Sequence, residues 1–252
     1  MAAADGYGGV LGRVYPEYAA GGFTRVDGTV EFYQRVNALL APDATVVNLG
    51  AGRGMVGDDA LAFRQGLADL RGRCARLVGL DVDPVVLENP HLDEAMVIGD
   101  DGRYPFEDSS VDLVLSDWTF EHIDDPRAAV AEIGRVLRPG GWLCARTPNK
   151  WGLVGMPARA IPNRWHRSIL RRVQPRRKVV DTFPTRYRMN TRADLRALFP
   201  DREWVNCTYT AQCEPPYVAD SELVMRAVRV AQKVMPPPLH DILMIFIRKR
   251  EG

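Results

Sequence analysis

Hydrophobic residues in this 252-residue chain follow two spacings, and their alternation predicts strands separated by helices. Short apolar runs predict seven strands, at residues 45–49, 76–81, 95–98, 111–116, 142–147, 203–210 and 242–247. Apolar residues three or four positions apart predict the intervening helices. Because the strands are nearly continuously apolar, we expect a mainly parallel sheet with helices on both faces. The pattern therefore predicts an α/β, doubly wound fold.

Polar residues at the expected helix starts support this reading. Asp125 precedes Pro126 and Asp83 precedes Pro84, which places a capping acid before a favoured first-turn proline. Thr191 lies three residues before Asp194, a spacing typical of a capping box. Other predicted helices begin at residues 27, 59 and 223.

Composition and charge exclude several classes of protein. Apolar residues make up 46% of the chain and the net charge is +1, so it is neither disordered nor drawn as a whole to nucleic acid or anionic membranes. The longest apolar run, 242–247, is too short for a membrane span, and residues 1–5 lack the form of a signal peptide. No cysteine pair has CxxC spacing, so neither a zinc site nor a disulfide framework is expected. We expect a soluble, reduced, cytoplasmic protein.

A basic segment interrupts the α/β pattern. Residues 150–180 contain nine Lys or Arg residues and no acidic residue. We interpret the chain as an N-terminal extension and helix at 1–43, a Rossmann-like core at 44–149, a basic inserted lid at 150–190, and the rest of the same α/β domain at 191–252. The lid is expected to recognise an anionic or sugar-linked acceptor.

Three glycines follow the first predicted strand and precede a helix. Gly50, Gly52 and Gly54 let backbone amides approach a ligand without Cβ clashes, at the strand end where such folds bind ligands. The dinucleotide fingerprint GxGxxG fails, because Met55 occupies the position of its last glycine. The turn therefore predicts a binding loop but disfavours a nicotinamide dehydrogenase.

Acidic and polar residues lie at the ends of the next strands. Asp81 can accept the hydroxyls of a ribose, while Asp83 is the weaker candidate because it can cap a helix. One acid after the third strand can accept a hydrogen bond from an adenine amine. The residues expected to face the same crevice are Asp100, Asp101, Ser116 and Asp117.

Five ordered segments carry a resemblance to a known family. They are NLGAGRG at 48–54, GLDVD at 79–83, GDDGRYPF at 99–106, FEHI at 120–123 and LRPGG at 137–141. In this order they resemble the motifs of class I S-adenosylmethionine-dependent methyltransferases, especially those acting on small molecules, saccharides and quinone precursors. The match covers residues 44–149.

The resemblance implies a Rossmann-like seven-stranded sheet with an antiparallel last strand, and S-adenosyl-L-methionine as cofactor. It implies that the glycine loop holds the methionine part, Asp81 the ribose and Asp100 the adenine. One departure is Asn48, where the family usually has an acid that contacts the cofactor's ammonium. The implied cofactor-binding residues are Asn48, Gly50, Ala51, Gly52, Arg53, Gly54, Asp81, Val82, Asp100, Asp101 and Ser116.

The predicted activity is methyl transfer to a small molecule, with a hydroxyl of a saccharide or other secondary metabolite as the favoured acceptor. An RNA methyltransferase and a non-catalytic cofactor-binding protein remain alternatives, although nucleic acid is a disfavoured partner. His122, His166 and Asp117 are candidates for a general base that removes the acceptor proton. No metal site is expected.

Overall fold

Eight strands form one mixed sheet in the computed structural model, which describes residues 9–152, 184–214 and 221–251. The strands are β1 (Thr45–Leu49), β2 (Arg76–Asp81), β3 (Glu94–Val97), β4 (Val111–Asp117), β5 (Leu137–Pro148), β6 (Trp204–Asn206), β7 (Tyr209–Ala211) and β8 (Ile242–Lys249). Their order is β3-β2-β1-β4-β5-β8-β6, and β7 also pairs with β8.

The first five strands are parallel, and β8 is antiparallel to β5. This arrangement confirms the α/β fold with an antiparallel last strand. The predicted strand at 203–210 is split into β6 and β7, both antiparallel to β8 and in one continuous register, from Trp204↔Lys249 to Tyr209↔Met244. It is interrupted where the Thr208 amide donates to the Asn206 side chain at 3.0 Å instead of to the ladder.

Six α-helices accompany the sheet in the described ranges: α1 (Val10–Val14), α2 (Gly28–Leu39), α3 (Ala62–Ala68), α4 (Pro126–Val136), α5 (Arg192–Leu198) and α6 (Glu222–Val234). Short 3₁₀ turns lie at Met55–Asp58, Pro84–Glu88, Phe120–His122 and elsewhere. In the parts of the chain that the structure describes, no helix is long and apolar enough to cross a membrane.

Side-chain caps define most of the helix starts. Asp27 caps α2, Asp125 caps α4 and Thr191 caps α5, as the sequence predicts. The helix expected to begin at Asp59 begins instead at Ala62. The reason is local: the Asp59 carboxylate accepts the Leu61 amide at 2.8 Å, which holds the chain in a turn.

Both faces of the sheet are covered by helices, as expected for parallel strands. On one face, Ile133 of α4 and Leu195 of α5 share a buried cluster with Val114 of β4. On the other face, Phe32 of α2 shares a buried cluster with Leu115 of β4. The carboxyl ends of β1, β2 and β4 lie between these layers at one edge of the sheet, where the predicted site residues follow.

Candidate active site

The glycine turn after β1 has a backbone conformation that favours glycine at three positions. Gly50, Gly52 and Gly54 have φ values of 77°, 49° and 85°. A Cβ on Gly50 would lie 2.1 Å from Thr119 Oγ1, and one on Gly54 would lie 2.3 Å from Asn89 Oδ1. At Gly52 nothing lies within 4 Å of the added Cβ. Packing therefore requires the outer two glycines, while the middle one presents its backbone to open space.

Two side chains hold this loop in place. One oxygen of the Asp81 carboxylate accepts the Gly52 amide at 2.9 Å, and the other accepts the Asp83 amide at 2.9 Å. The Asn89 amide donates to the carbonyls of Ala51 and Gly52, at 3.1 and 3.2 Å. Each carboxylate oxygen has a second acceptor site, so Asp81 can still receive a hydroxyl.

Asn89 is a residue that the sequence analysis missed. It is buried beneath the glycine loop, and it lies 38 residues after Ala51, whose carbonyl it binds. A lone asparagine following a short helical turn carries no sequence signal for such a contact. Only the parallel pairing of β1 with β2 brings the two segments together.

The remaining candidates for the cofactor's ribose and adenine lie on the same edge. Val82, directly after β2, is 68% exposed. Asp100 and Asp101 follow β3, which pairs with β2, and both are exposed. Asp101 accepts the Arg103 amide at 3.1 Å, a bond that closes its loop. Asp83 caps the turn Pro84–Glu88, as predicted for the weaker of the two candidates for ribose binding.

The methionine side of the predicted site contains Asn48 and Arg53. Asn48 is half-buried on β1, in register with Leu115 of β4. Arg53 forms an ion pair with Asp58 at 2.6 Å, and this pair crosses the turn that follows the glycines. Asn48 therefore presents an uncharged amide where the resembling family usually presents an acid.

The structure corrects the expected position of Ser116. Its side chain is fully buried and does not face the crevice, because residues alternate between the two faces of a strand. Ser116 lies in register with Ala145, which belongs to the buried cluster under α4 and α5.

Asp117 points to the opposite face and is bound there. Arg146 of β5 contacts both of its carboxylate oxygens, with an Nη2–Oδ2 distance of 2.9 Å, and the Tyr33 hydroxyl donates to Oδ2 at 2.9 Å. Arg146 is itself buried and donates to Thr29 of α2. These hydrogen bonds occupy both carboxylate oxygens, so the structure speaks against Asp117 as the general base.

Aromatic rings surround the Arg146 guanidinium. It lies 5.3 Å from the ring centroid of Phe32, 5.6 Å from that of Tyr33 and 5.3 Å from that of Trp118. Trp118 is 40% exposed and has a φ of 56°, a strained conformation for a large residue at a strand end. Trp118 and Arg146 are therefore additional candidate site residues, which the sequence pattern does not predict.

His122 lies in the turn Phe120–His122 directly beyond β4. Its Nδ1 lies 3.0 Å from the Pro184 carbonyl oxygen, which can only accept, so Nδ1 carries a proton. In the neutral ring the acceptor lone pair is therefore on Nε2. The amides of Arg186 and Tyr187 donate to the carbonyl of Glu121, which also fastens the segment after residue 183 to this turn.

Glu121 is a buried acid beside His122. Its Oε1 lies 4.0 Å from His122 Nε2, and its Oε2 accepts the Thr147 hydroxyl at 2.8 Å. Asn190 donates to Thr147 Oγ1 at 2.7 Å, so three buried polar side chains form a chain. Burial raises the pKa of the Glu121 carboxyl above its ordinary value. His166 and most of the basic segment lie outside the described residues.

Comparison with known proteins gives this geometry a context. Residues 59–145 match the family model described as "Methyltransferase domain", which begins just after the glycine turn. A "probable S-adenosylmethionine-dependent methyltransferase" of Mycolicibacterium smegmatis is 36% identical over 101 residues, 38% of each chain. The malonyl-[acyl-carrier protein] O-methyltransferase of Hahella chejuensis is 38% identical over 78 residues, 29% of this chain and 28% of that protein.

Residues 59–145 therefore carry a methyltransferase domain. This finding confirms the resemblance to S-adenosylmethionine-dependent methyltransferases, whose cofactor is S-adenosyl-L-methionine. The chain spans between 28% and 38% of the length of these two curated relatives.

Solved structures of this family share the fold. A methyltransferase of Thermotoga maritima aligns with a TM-score of 0.53 and 15% identity, over 96% of this chain and 99% of that one. A geranyl diphosphate C-methyltransferase of Streptomyces coelicolor aligns with a TM-score of 0.51 and 17% identity, over 88% and 77%. At such low identity the likeness concerns the fold alone.

Proposed function

We propose that this chain transfers a methyl group from S-adenosyl-L-methionine to a small-molecule acceptor, with a hydroxyl oxygen as the favoured acceptor atom. The observation that carries the proposal is the glycine turn, where the Gly52 backbone faces open space and its amide is held by Asp81. This is a surface that a ligand can approach closely, with a carboxylate beside it. The match of residues 59–145 to a methyltransferase domain supports the choice of ligand.

The residues at the crevice suit the parts of this cofactor. The methionine part would lie along Gly52, where an added Cβ would occupy the space, with the Asn48 amide as a neutral hydrogen-bonding partner. Asp81 would accept the ribose hydroxyls, and Asp100 or Asp101 would face the adenine amine. Val82 is exposed enough to cover one face of the adenine ring.

The bound cofactor supplies an electrophilic methyl group on a sulfonium centre. The protein must hold the acceptor oxygen in line with that group, at a contact distance of about 3 Å. We favour His122 as the general base, because its Nδ1 lies 3.0 Å from the Pro184 carbonyl oxygen and the lone pair of the neutral ring is therefore on Nε2. The Glu121 carboxyl, whose pKa is raised by burial, lies 4.0 Å from that nitrogen.

The proposed acceptor is anionic or sugar-linked, as the nine basic residues of 150–180 suggest. The described base of this insertion, including Arg186 and Tyr187, is hydrogen-bonded to the carbonyl of Glu121 beside His122. The insertion therefore returns to the sheet at the proposed acceptor side. The name of the Hahella chejuensis relative denotes an O-methyltransferase, which accords with an oxygen acceptor.

Calorimetry tests the proposal without knowledge of the acceptor. We expect S-adenosylmethionine and its demethylated product to bind, and NAD not to bind appreciably. Asp81→Ala should weaken cofactor binding by about 1.5–3 kcal/mol, or roughly 10- to 150-fold, the cost of a lost hydrogen bond to a charged group. Asp83→Ala is the matched control: it removes a nearby carboxylate that caps a helical turn, and it should change affinity little.

Three results would count against the proposal. Tight binding of NAD with no response to S-adenosylmethionine would indicate a dehydrogenase. Equal losses of affinity in Asp81→Ala and Asp83→Ala would show that the ribose is not bound where we place it. Binding of the cofactor without turnover of any acceptor tested would leave the non-catalytic alternative as the better description.

A further inference from the structure

Helix α6 presents apolar side chains to solvent along its whole length. Leu223 is 79% exposed, Val230 is 62% exposed and Val234 is 81% exposed. Together with exposed Ala227 they recur at intervals of four, three and four residues, which places them on one face of a helix. This face, the α6 stripe, consists of Leu223, Ala227, Val230 and Val234. Single exposed apolar residues are ordinary, but a continuous stripe indicates an interaction surface.

The face of α6 opposite the stripe packs against the rest of the protein. Met225 is buried in a small cluster with Val14 and Tyr15. Near the other end of the helix, the buried Gln232 side chain donates to the Asp241 carboxylate at 2.7 Å and to the Cys213 carbonyl at 2.9 Å. Because α6 packs on the protein through this opposite face, the α6 stripe is its solvent-facing side.

The same contacts place α6 near the proposed acceptor side. Asp241 directly precedes β8, and the first residue of β8, Ile242, pairs with Pro148 at the carboxyl end of β5. Asn149 then donates to the carbonyls of Pro238 and His240, beyond the end of α6. The helix therefore ends at the edge of the sheet that carries the candidate active site.

Basic residues accompany the stripe on one side. Arg226 and Lys233 are exposed and seven positions apart, so they lie on the same flank. The one acid of the helix, Glu222, is neutralised by ion pairs with Arg13 at 2.7 Å and Arg226 at 2.8 Å. An apolar stripe beside a net basic flank is complementary to an anionic, amphiphilic surface.

We propose that the α6 stripe docks this protein onto an anionic lipid surface, near the edge of the sheet that carries the candidate active site. The apolar side chains would enter the interface between headgroups and acyl chains, and Arg226 and Lys233 would meet lipid phosphates. A second copy of the chain is a poorer partner, because antiparallel packing through the stripe would bring one basic flank against the other. The proposal goes beyond methyl transfer and does not depend on it.

Vesicle sedimentation with the full chain tests the proposal. We expect binding to mixed phosphatidylglycerol–phosphatidylcholine vesicles, and much weaker binding to phosphatidylcholine alone. The double variant Val230→Gln and Val234→Gln keeps the charge and favours a helix, yet should weaken binding roughly tenfold because it removes apolar area from the contact. Lys233→Gln should weaken binding about fivefold, through the loss of one charge at the lipid surface.

The controls separate docking from folding and from the proposed function. Val205→Gln changes an exposed valine on β6, away from α6, and should bind vesicles as the parent does. Thermal unfolding and calorimetry with S-adenosylmethionine should be the same for the double variant and the parent. Absence of parent binding to anionic vesicles, or equal binding by the double variant, would overturn the proposal. A parent dimer that the double variant dissociates, without vesicle binding, would identify the stripe as a contact between copies instead.

Discussion

Alanine at Gly50 and at Gly52 should have different consequences, although both glycines have positive φ. In each variant the left-handed conformation costs a residue with a Cβ about 1–2 kcal/mol. At Gly50 the new Cβ also meets Thr119 Oγ1 at 2.1 Å and its Cγ2 at 2.4 Å, which adds an overpacking cost of about 1–3 kcal/mol. Gly50→Ala should therefore lose about 2–5 kcal/mol of unfolding free energy, and Gly52→Ala about 1–2 kcal/mol.

Gly52→Ala, the variant with the smaller loss of stability, should show a large loss of cofactor affinity. Gly52→Ala places a methyl group in the open space assigned to the methionine part of the cofactor, so affinity should fall more than tenfold in a protein that still folds. Urea unfolding measures the first quantity and calorimetry with S-adenosylmethionine the second. A double-mutant cycle of Gly50→Ala with Thr119→Gly should recover the overpacking cost as a coupling of about 1–3 kcal/mol.

Specific outcomes would refute this reasoning. Equal destabilisation by the two alanine substitutions, or no coupling between positions 50 and 119, would contradict the packing at Gly50. Unchanged cofactor affinity in folded Gly52→Ala would contradict the position assigned to the cofactor.

Two further predictions concern ionisable groups at or near the candidate active site. Asp117→Ala should lose about 3–5 kcal/mol in urea unfolding because it leaves the buried Arg146 guanidinium unpaired, whereas Asp117→Leu with Arg146→Met should lose much less; similar losses would refute the ion-pair argument. Because burial raises the pKa of the Glu121 carboxyl, the protonated carboxyl stabilises the folded state. This stabilisation is fully present below the ordinary pKa of 4.5 and is lost as pH rises through the raised pKa of the folded protein. Glu121→Gln keeps an acceptor for Thr147 and cannot ionise, so its stability should fall less with rising pH and exceed that of the parent near neutrality; an unchanged pH profile would contradict this.

Local sequence features predicted the elements of this fold well. Apolar runs located β1, β2, β4, β8 and residues 142–147 of β5, because a strand buried on both faces needs apolar side chains throughout. Asp27 and Asp125 marked helix starts, because a capping carboxylate acts on amides two or three residues away. The glycine turn and Asp81 could be singled out as candidates from the sequence, because each lies at the end of a predicted strand.

Two predicted element boundaries were wrong because a side chain accepts a hydrogen bond from a nearby backbone amide. The Asn206 side chain takes the Thr208 amide and divides a predicted strand. The Asp59 carboxylate takes the Leu61 amide and delays a predicted helix. Both residues compete with the backbone for hydrogen bonds, and the sequence pattern does not show which competitor prevails.

Residues far apart in the chain decide the rest of the site. Strand register alone sets Asp117 beside Arg146, 29 residues later, and thereby turns a candidate base into half of a buried ion pair. Asn89 reaches back to Ala51 in the same way, across two paired strands. Sequence periodicity reveals that α6 is amphipathic but not which face it buries, because that depends on what packs against it. Local forces within the sequence thus determined the elements and the glycine turn after β1, whereas long-range packing decided which polar groups are available to a ligand and which apolar face is left exposed.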